Sequence, residues 1–224
     1  MNNKKKYLKE MGIDLWVSKK TVDRACLTAN DIEPQVSADW QELEKQVVAC
    51  SLCDLHKTRN KVVFGIGSQS AKIMFIGEAP GANEDLQGEP FVGRAGMLLN
   101  SMLQSIGLKR DDVYIANILK CRPPGNRDPQ PEEVKLCTPY LQQQIALIQP
   151  KILVAVGRIA AQFLLDTAEP MSRLRGQTYQ YGQQKTPLLV TYHPAYLLRS
   201  PSEKRKAYTD FLIIKNIAEQ IVSG

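Results

Sequence analysis

The chain has 224 residues, 43 % of them apolar and 23 % charged, which excludes a disordered protein and suits one α/β domain with a short extension. No stretch approaches the roughly 20 apolar residues of a membrane span. The basic start MNNKKK runs into YLKEMGIDLW without an apolar h-region, so no signal peptide is predicted and a cytoplasmic protein is expected. A formal net charge of +6 fits a polyanionic partner but says nothing of the fold.

Residues 1–37 are polar and end in TANDIEPQVSAD, which reads as an extension and linker ahead of a domain over 38–224. Residues 39–50 predict a short helix with Asp39 at its N-terminus. AKIMFIG (71–77) is a buried strand entering a Gly/Pro turn, and 94–106 is a helix with Leu98, Leu99, Met102 and Leu103 on one face. VYIANIL (113–119) is a second strand, followed by the loop CRPPGNRDPQ. Pro131 suits the first turn of a helix reaching about Ile148, with Glu132 and Glu133 at its positive end. KILVAVG (151–157) is a third strand leading to a helix ending near Leu165, and PLLVTYH (187–193) is a fourth. Ser200 and Glu203 have the spacing of a capping box, with Pro201 just inside, for a last helix whose apolar face includes Tyr208, Phe211, Leu212, Ile214, Ile217 and Ile221. Apolar strands alternating with helices predict a three-layer α/β/α fold around a mostly parallel, four-stranded central sheet. Ligands bind such sheets beyond the carboxyl ends of the strands. GEAPG, the CRPPGN region and HPAYLL leave those ends together.

Cys50 and Cys53 form a C-x2-C after the first helix, and Cys121 and Cys137 a C-x15-C across the second strand and the helix that follows. In a reducing compartment such spacing points to a metal or cluster site over disulfides. Four thiolates suit tetrahedral zinc or a [4Fe–4S] cluster, and spacing alone leaves both open. Cys26 lies outside this quartet and reads as an incidental thiol.

The segment GEAPGANEDLQGEPFVGRAGMLLN (77–100) opens with a turn whose backbone can approach a ligand closely, and Phe91 follows it. GEAPG, ED, PFVGRAG, NILKCRPPGNRDP and HPAYLLR occur in that order with the cysteine quartet, and this combination closely resembles the family 4 uracil-DNA glycosylases over about residues 39–220. The resemblance implies a [4Fe–4S] cluster on Cys50, Cys53, Cys121 and Cys137, ahead of zinc, and a structural role for it. It also implies an enzyme that flips uracil from single- or double-stranded DNA and hydrolyses the N-glycosidic bond. On the matching positions, Asn117 reads the uracil edge, Phe91 stacks on the base, and Gly77, Glu78 and Ala79 line the pocket. His193 donates to uracil O2 as charge develops.

Ala79 stands where family 1 enzymes carry the Asp of GQDPY, so the usual candidate base is absent, and Glu78, Glu84 and Asn126 are left as groups that handle the attacking water. Gly81 stands where family 1 has a thymine-excluding Tyr. Leu197 and Leu198 are candidate wedges into the DNA gap, with Arg199, Ser200, Lys204 and Arg205 near phosphates and Arg94 a further candidate contact. Two other readings compete with a monofunctional, monomeric glycosylase. One is the covalent uracil-DNA-binding subgroup, whose GEQPG turn and added His are not matched by GEAPG and RLRGQTYQYGQQ. The other is an inactive iron–sulfur, DNA-binding accessory protein. Finally, YLKEMGIDLWV (7–17), with anchors at Leu8, Met11, Ile13, Leu15 and Trp16, resembles the segment of the DNA polymerase III psi subunit that binds the chi subunit, which implies a docking arm.

Overall fold

The computed structural model describes residues 39–223. The N-terminal extension, with its predicted chi-docking segment, lies outside the described residues, as does Cys26.

Helix α1 (Trp40–Ala49) starts where expected, because the Asp39 side chain accepts the Gln41 backbone N–H at 3.2 Å. Short strand β1 (Ile66–Gly67) precedes β2 (Ile73–Gly77), α2 (Ala82–Gln87), α3 (Arg94–Gln104) and β3 (Tyr114–Asn117). Then follow α4 (Pro131–Ile148), β4 (Ile152–Val156), α5 (Arg158–Leu165), α6 (Met171–Leu174), β5 (Thr178–Tyr181), β6 (Thr186–Thr191), α7 (Pro194–Arg199) and α8 (Lys204–Ser223).

The predicted four-stranded sheet needs correction. Six strands form one mixed sheet in the order β1-β3-β2-β4-β6-β5. Its inner strands β3, β2, β4 and β6 run parallel, while β1 and β5 pair antiparallel at the two edges. Strand side chains alternate between two cores. Met74, Ile76, Ala116, Leu153 and Ala155 pack with Leu141 and Ile148 of α4 and Ala160, Ala161 and Leu164 of α5. Ile73, Phe75, Ile115, Ile152 and Val154 pack with Leu99 and Leu103 of α3 and Phe211 and Ile214 of α8. Helices therefore cover both faces, and β2, β3, β4 and β6 are nearly continuous apolar runs because they are buried on both sides.

The start of α4 at Pro131, with Glu132 and Glu133 in its first turn, is as expected, and the start of α8 is not. The Ser200–Glu203 capping box does not form: Pro201–Glu203 is a 3-10 turn ahead of α8, and the Glu203 carboxylate pairs with Lys206 at 2.8 Å. A reciprocal arrangement sits instead at α4, where Glu133 accepts the Gln130 N–H at 2.9 Å and also pairs with Arg127 at 2.5 Å.

Of the parallel strands the chain makes β2 first, then β3 on one side and β4 on the other, so the strand order reverses beside β2. The carboxyl ends of β2, β3, β4 and β6 bring Gly77, Asn117, Gly157 and His193 to one edge of the sheet. Among the described residues no helix is long and apolar enough to cross a membrane.

Candidate active site

A cleft at that edge is lined by Glu78, Ala79, Gly81, Glu84, Phe91, Asn117, Asn126 and His193. The turns after β2 and β3 are stitched together, since Ile118 N–H donates to Gly77 O at 3.0 Å and Leu119 N–H to Glu78 O at 3.1 Å. Asn117 thus projects from the last position of β3, buried to 2 % exposure. Its Oδ1 is buried and has no hydrogen-bond partner. An orphaned amide oxygen of this kind costs about 1–3 kcal/mol. Aimed into a cleft, it is an acceptor waiting for a ligand donor.

Asn117 is held from behind by Lys120, which sequence reasoning missed. The fully buried Lys120 Nζ donates to Asn117 O at 2.9 Å and to Gln144 Oε1 at 2.6 Å. Gln144 in turn donates to Phe64 O at 2.9 Å and Tyr114 Oη at 3.2 Å. Burial pulls the Lys120 ammonium down to about 8.

Phe91 is buried in a left-handed conformation (φ 53°), which is strained for an aromatic residue. Two groups hold it there. Arg110 donates to the carbonyls of Phe91 (3.2 Å) and Pro90, and Glu84 accepts the N–H groups of Val92 (3.0 Å) and Gly93 (3.2 Å) at the start of α3. Gly96 admits the Phe91 carbonyl where any Cβ would collide with it. Gly77 likewise makes room for its neighbours, since a Cβ there would strike Asn117 Oδ1 and lie 2.9 Å from the Phe91 ring. Gly77→Ala is therefore expected to keep the fold, by circular dichroism and melting, while weakening free-uracil inhibition at least about tenfold.

His193 caps α7, its Nδ1 accepting the Ala195 N–H at 3.1 Å. That bond places the proton of the neutral ring on Nε2. Burial, aided by Arg199, lowers the imidazolium to about 4, so the ring is neutral at physiological pH. Its centroid lies 5.5 Å from that of Phe91 with planes inclined at 30°. Gly157 (φ 96°) lets β4 end against this ring, since a Cβ there would sit 2.9 Å from His193 Cβ. Burial pushes the Glu78 carboxyl up to about 7, with Asp128 adding to the rise and Arg158 opposing it. Asn126 lines the same cleft and accepts Arg122 Nε–H at 2.8 Å.

The predicted DNA contacts divide. Leu197, a predicted wedge, is 1 % exposed and lines a small cavity with Leu98 and Met102 of α3. Leu198 is half-buried, Arg199 is exposed and lines the cleft, and the exposed aromatic ring of this helix is Tyr196.

Cys50, Cys53, Cys121 and Cys137 line one small cavity with Leu55, Arg59 and Tyr140. Arg59 donates to Cys121 Sγ at 3.1 Å and Lys120 N–H to Cys137 Sγ at 3.3 Å, donors that suit thiolate sulfur. As free thiols, Cys53, Cys121 and Cys137 are costly to ionise, since burial raises each of them, the last to about 12. Among the described residues no three His, Cys, Asp or Glu side chains converge on a single-ion position.

A family model for the uracil DNA glycosylase superfamily matches residues 64–214. The type-4 uracil-DNA glycosylase of Archaeoglobus fulgidus is 47 % identical over 176 residues, 76 % of this chain and 88 % of that protein. The type-4 enzyme of Thermotoga maritima is 44 % identical over 164 residues, 72 % of this chain and 84 % of that protein. The chain belongs to the type-4 uracil-DNA glycosylases. A type-5 uracil-DNA glycosylase of Thermus thermophilus matches more narrowly, 35 % identical over 45 % of this chain and 52 % of its own length. The cleft residues from Gly77 to His193 lie inside the stretch that the superfamily model matches, and Cys50, Cys53 and Arg59 precede it.

Proposed function

We propose that this glycosylase removes uracil from DNA by hydrolysing its N-glycosidic bond and leaving an abasic site, the first step of base excision repair. The observation that carries the reading is the unpaired, buried Asn117 Oδ1 in a cleft walled by Phe91 and a neutral His193. Uracil offers an N3–H to that oxygen and an O4 to the Asn117 Nδ2. Cytosine presents the opposite pattern and leaves both sites with unpaired groups. Phe91 supplies the stacking face for the extruded base.

The C1′–N1 bond breaks with its electron pair leaving on the base, and His193 Nε2–H stabilises the negative charge growing on O2. Water attacks the oxocarbenium-like C1′, and its proton passes to the ionised Glu78 carboxylate. Asn126 helps to position that water, and Glu84 acts by fixing the Phe91 turn. The departing uracil anion is reprotonated from solvent. Release of an abasic site from uracil-containing oligonucleotides tests the assignment, and no release by the wild type overturns it.

The Glu78 proton gives a pH signature. Excision is expected to rise with pH through about 7 as this carboxyl ionises, and to lose that inflection in Glu78→Gln. Stability runs the other way. A carboxyl raised above its ordinary 4.5 contributes fully below pH 4.5 and loses that contribution as pH climbs through 7. Glu78→Gln should therefore raise Tm at pH 8, by an amount that shrinks toward pH 5.

The four thiols that share one cavity, and the N–H donors to two of their sulfurs, support a [4Fe–4S] cluster there, ahead of a single zinc ion. Cys50, Cys53, Cys121 and Cys137 would hold the cluster, which would tie the segment after α1 to the β3 loop and α4 and supply no chemistry to bond cleavage. Purified protein is expected to carry about four irons per chain. Cys137→Ser should lose the iron and lower Tm, with iron content and melting as the two readouts. For residues 1–37 the proposal remains a docking arm for a chi-type replication subunit, supported by the apolar anchors of YLKEMGIDLWV alone, on a chain that otherwise acts as a monomer.

A further inference from the structure

The cleft does not end at the base-reading cluster. It encloses about 750 Å3, far more than one pyrimidine fills, and its wall continues over Tyr192, Tyr196, Arg158 and Arg199. Tyr192 and Tyr196 stand on either side of His193 in sequence. They pair with ring centroids 5.0 Å apart and planes inclined at 38°.

Tyr192 is the fixed member of this pair. The Arg175 guanidinium sits 4.4 Å from its ring centroid, and the Glu203 carboxylate lies nearby. Arg175 is itself locked, donating to Asp210 at 2.6 and 2.9 Å and to Lys206 O at 2.7 Å. Tyr196 is the outer member, 37 % exposed on a helix whose next residue, Leu197, is packed into the core. A large ring propped on a rigid partner and left open forgoes the burial that stabilises aromatic side chains elsewhere. Its face is held ready for a flat ligand. Arg158 and Arg199 on the same wall match the phosphates of a nucleotide strand.

We infer that Tyr192 and Tyr196 form a stacking subsite for a base neighbouring the extruded uracil, so that the cleft holds at least a dinucleotide. This rests on the glycosylase reading above and adds a second recognised base to it. The subsite tolerates any sequence, because every base has a π face. It favours strands in which the neighbour is not held in a duplex stack, and so favours uracil in single-stranded or locally opened DNA.

The test compares the full chain with Tyr196→Ala on a short single-stranded oligonucleotide containing uracil. One set carries natural neighbours, and others carry an abasic spacer on the 5′ or the 3′ side. On the natural substrate Tyr196→Ala should raise KM about 5- to 100-fold. At one flank the spacer should impose a similar loss on the wild type, and there the variant should lose nothing more. Tyr196→Phe should keep the low KM, because the ring face binds and the hydroxyl does not. A 2-aminopurine beside the uracil should be quenched on binding the wild type but not Tyr196→Ala, which reads stacking without turnover. An unchanged KM and quenching in Tyr196→Ala overturn the subsite. So does a loss that is equal on natural and on both spacer substrates, which reports a disturbed helix. Failure of the wild type to release uracil, with the quenching difference intact, overturns the glycosylase reading and leaves the subsite standing.

Discussion

Asn117→Ala is expected to slow single-turnover excision of uracil by about 10²–10³-fold, the loss seen when one preorganised partner of a reacting group is removed. The side chain is buried, so truncation leaves no exposed loop to rearrange, and its main-chain carbonyl stays bonded to Lys120. The loss should therefore appear without a large change in Tm. Specificity should move with rate: once Oδ1 and Nδ2 are gone, the pocket no longer presents groups that cytosine leaves unpaired. The ratio of uracil to cytosine excision, or of the two free bases as inhibitors, should fall by at least about tenfold. An Asn117→Ala enzyme that keeps both its rate and its discrimination would remove Asn117 from the base-reading role.

The inner strands were legible because each is an apolar run bounded by turn residues, the pattern left by burial on both faces. The edge strands were not. β1 is only Ile66–Gly67, and β5 is TYQY with alternating exposure, so neither offers an apolar run. Asn117, Phe91 and His193 could be named because a short motif carries each. Lys120, Arg110 and Gly157 could not, because what they do depends on partners distant in sequence. Lys120 reaches Gln144, Arg110 reaches back to Pro90 and Phe91, and Gly157 makes room for His193. Leu197 shows the converse. Its place in HPAYLLR reads as a wedge, while its burial to 1 % exposure beside α3 follows from residues distant in sequence. The Ser200–Glu203 spacing failed similarly, since Lys206 one turn on competes for the same carboxylate.

His193→Ala should lower kcat by about 10²–10³-fold while leaving KM nearly unchanged, because the bond from Nε2–H strengthens only as charge reaches O2. The geometry behind this is specific. The Ala195 N–H occupies Nδ1, and burial keeps the ring from protonating until about pH 4. The donor is therefore a neutral imidazole, which avoids the penalty of a buried, uncompensated cation. Two consequences separate this from a merely structural histidine. The wild-type rate should show no inflection from His193 anywhere between about pH 5 and 9, so the rise through pH 7 that Glu78 supplies persists in His193→Ala. The deficit should also depend on the leaving base. 5-Fluorouracil leaves as a more stable anion than uracil and needs less help at O2, so the gap between wild type and His193→Ala should narrow on that substrate. An equal deficit on both bases would mean that His193 only shapes the pocket. Narrowing would tie the lost rate to charge on the departing base, where the ring's Nε2–H is the donor the structure leaves uncommitted.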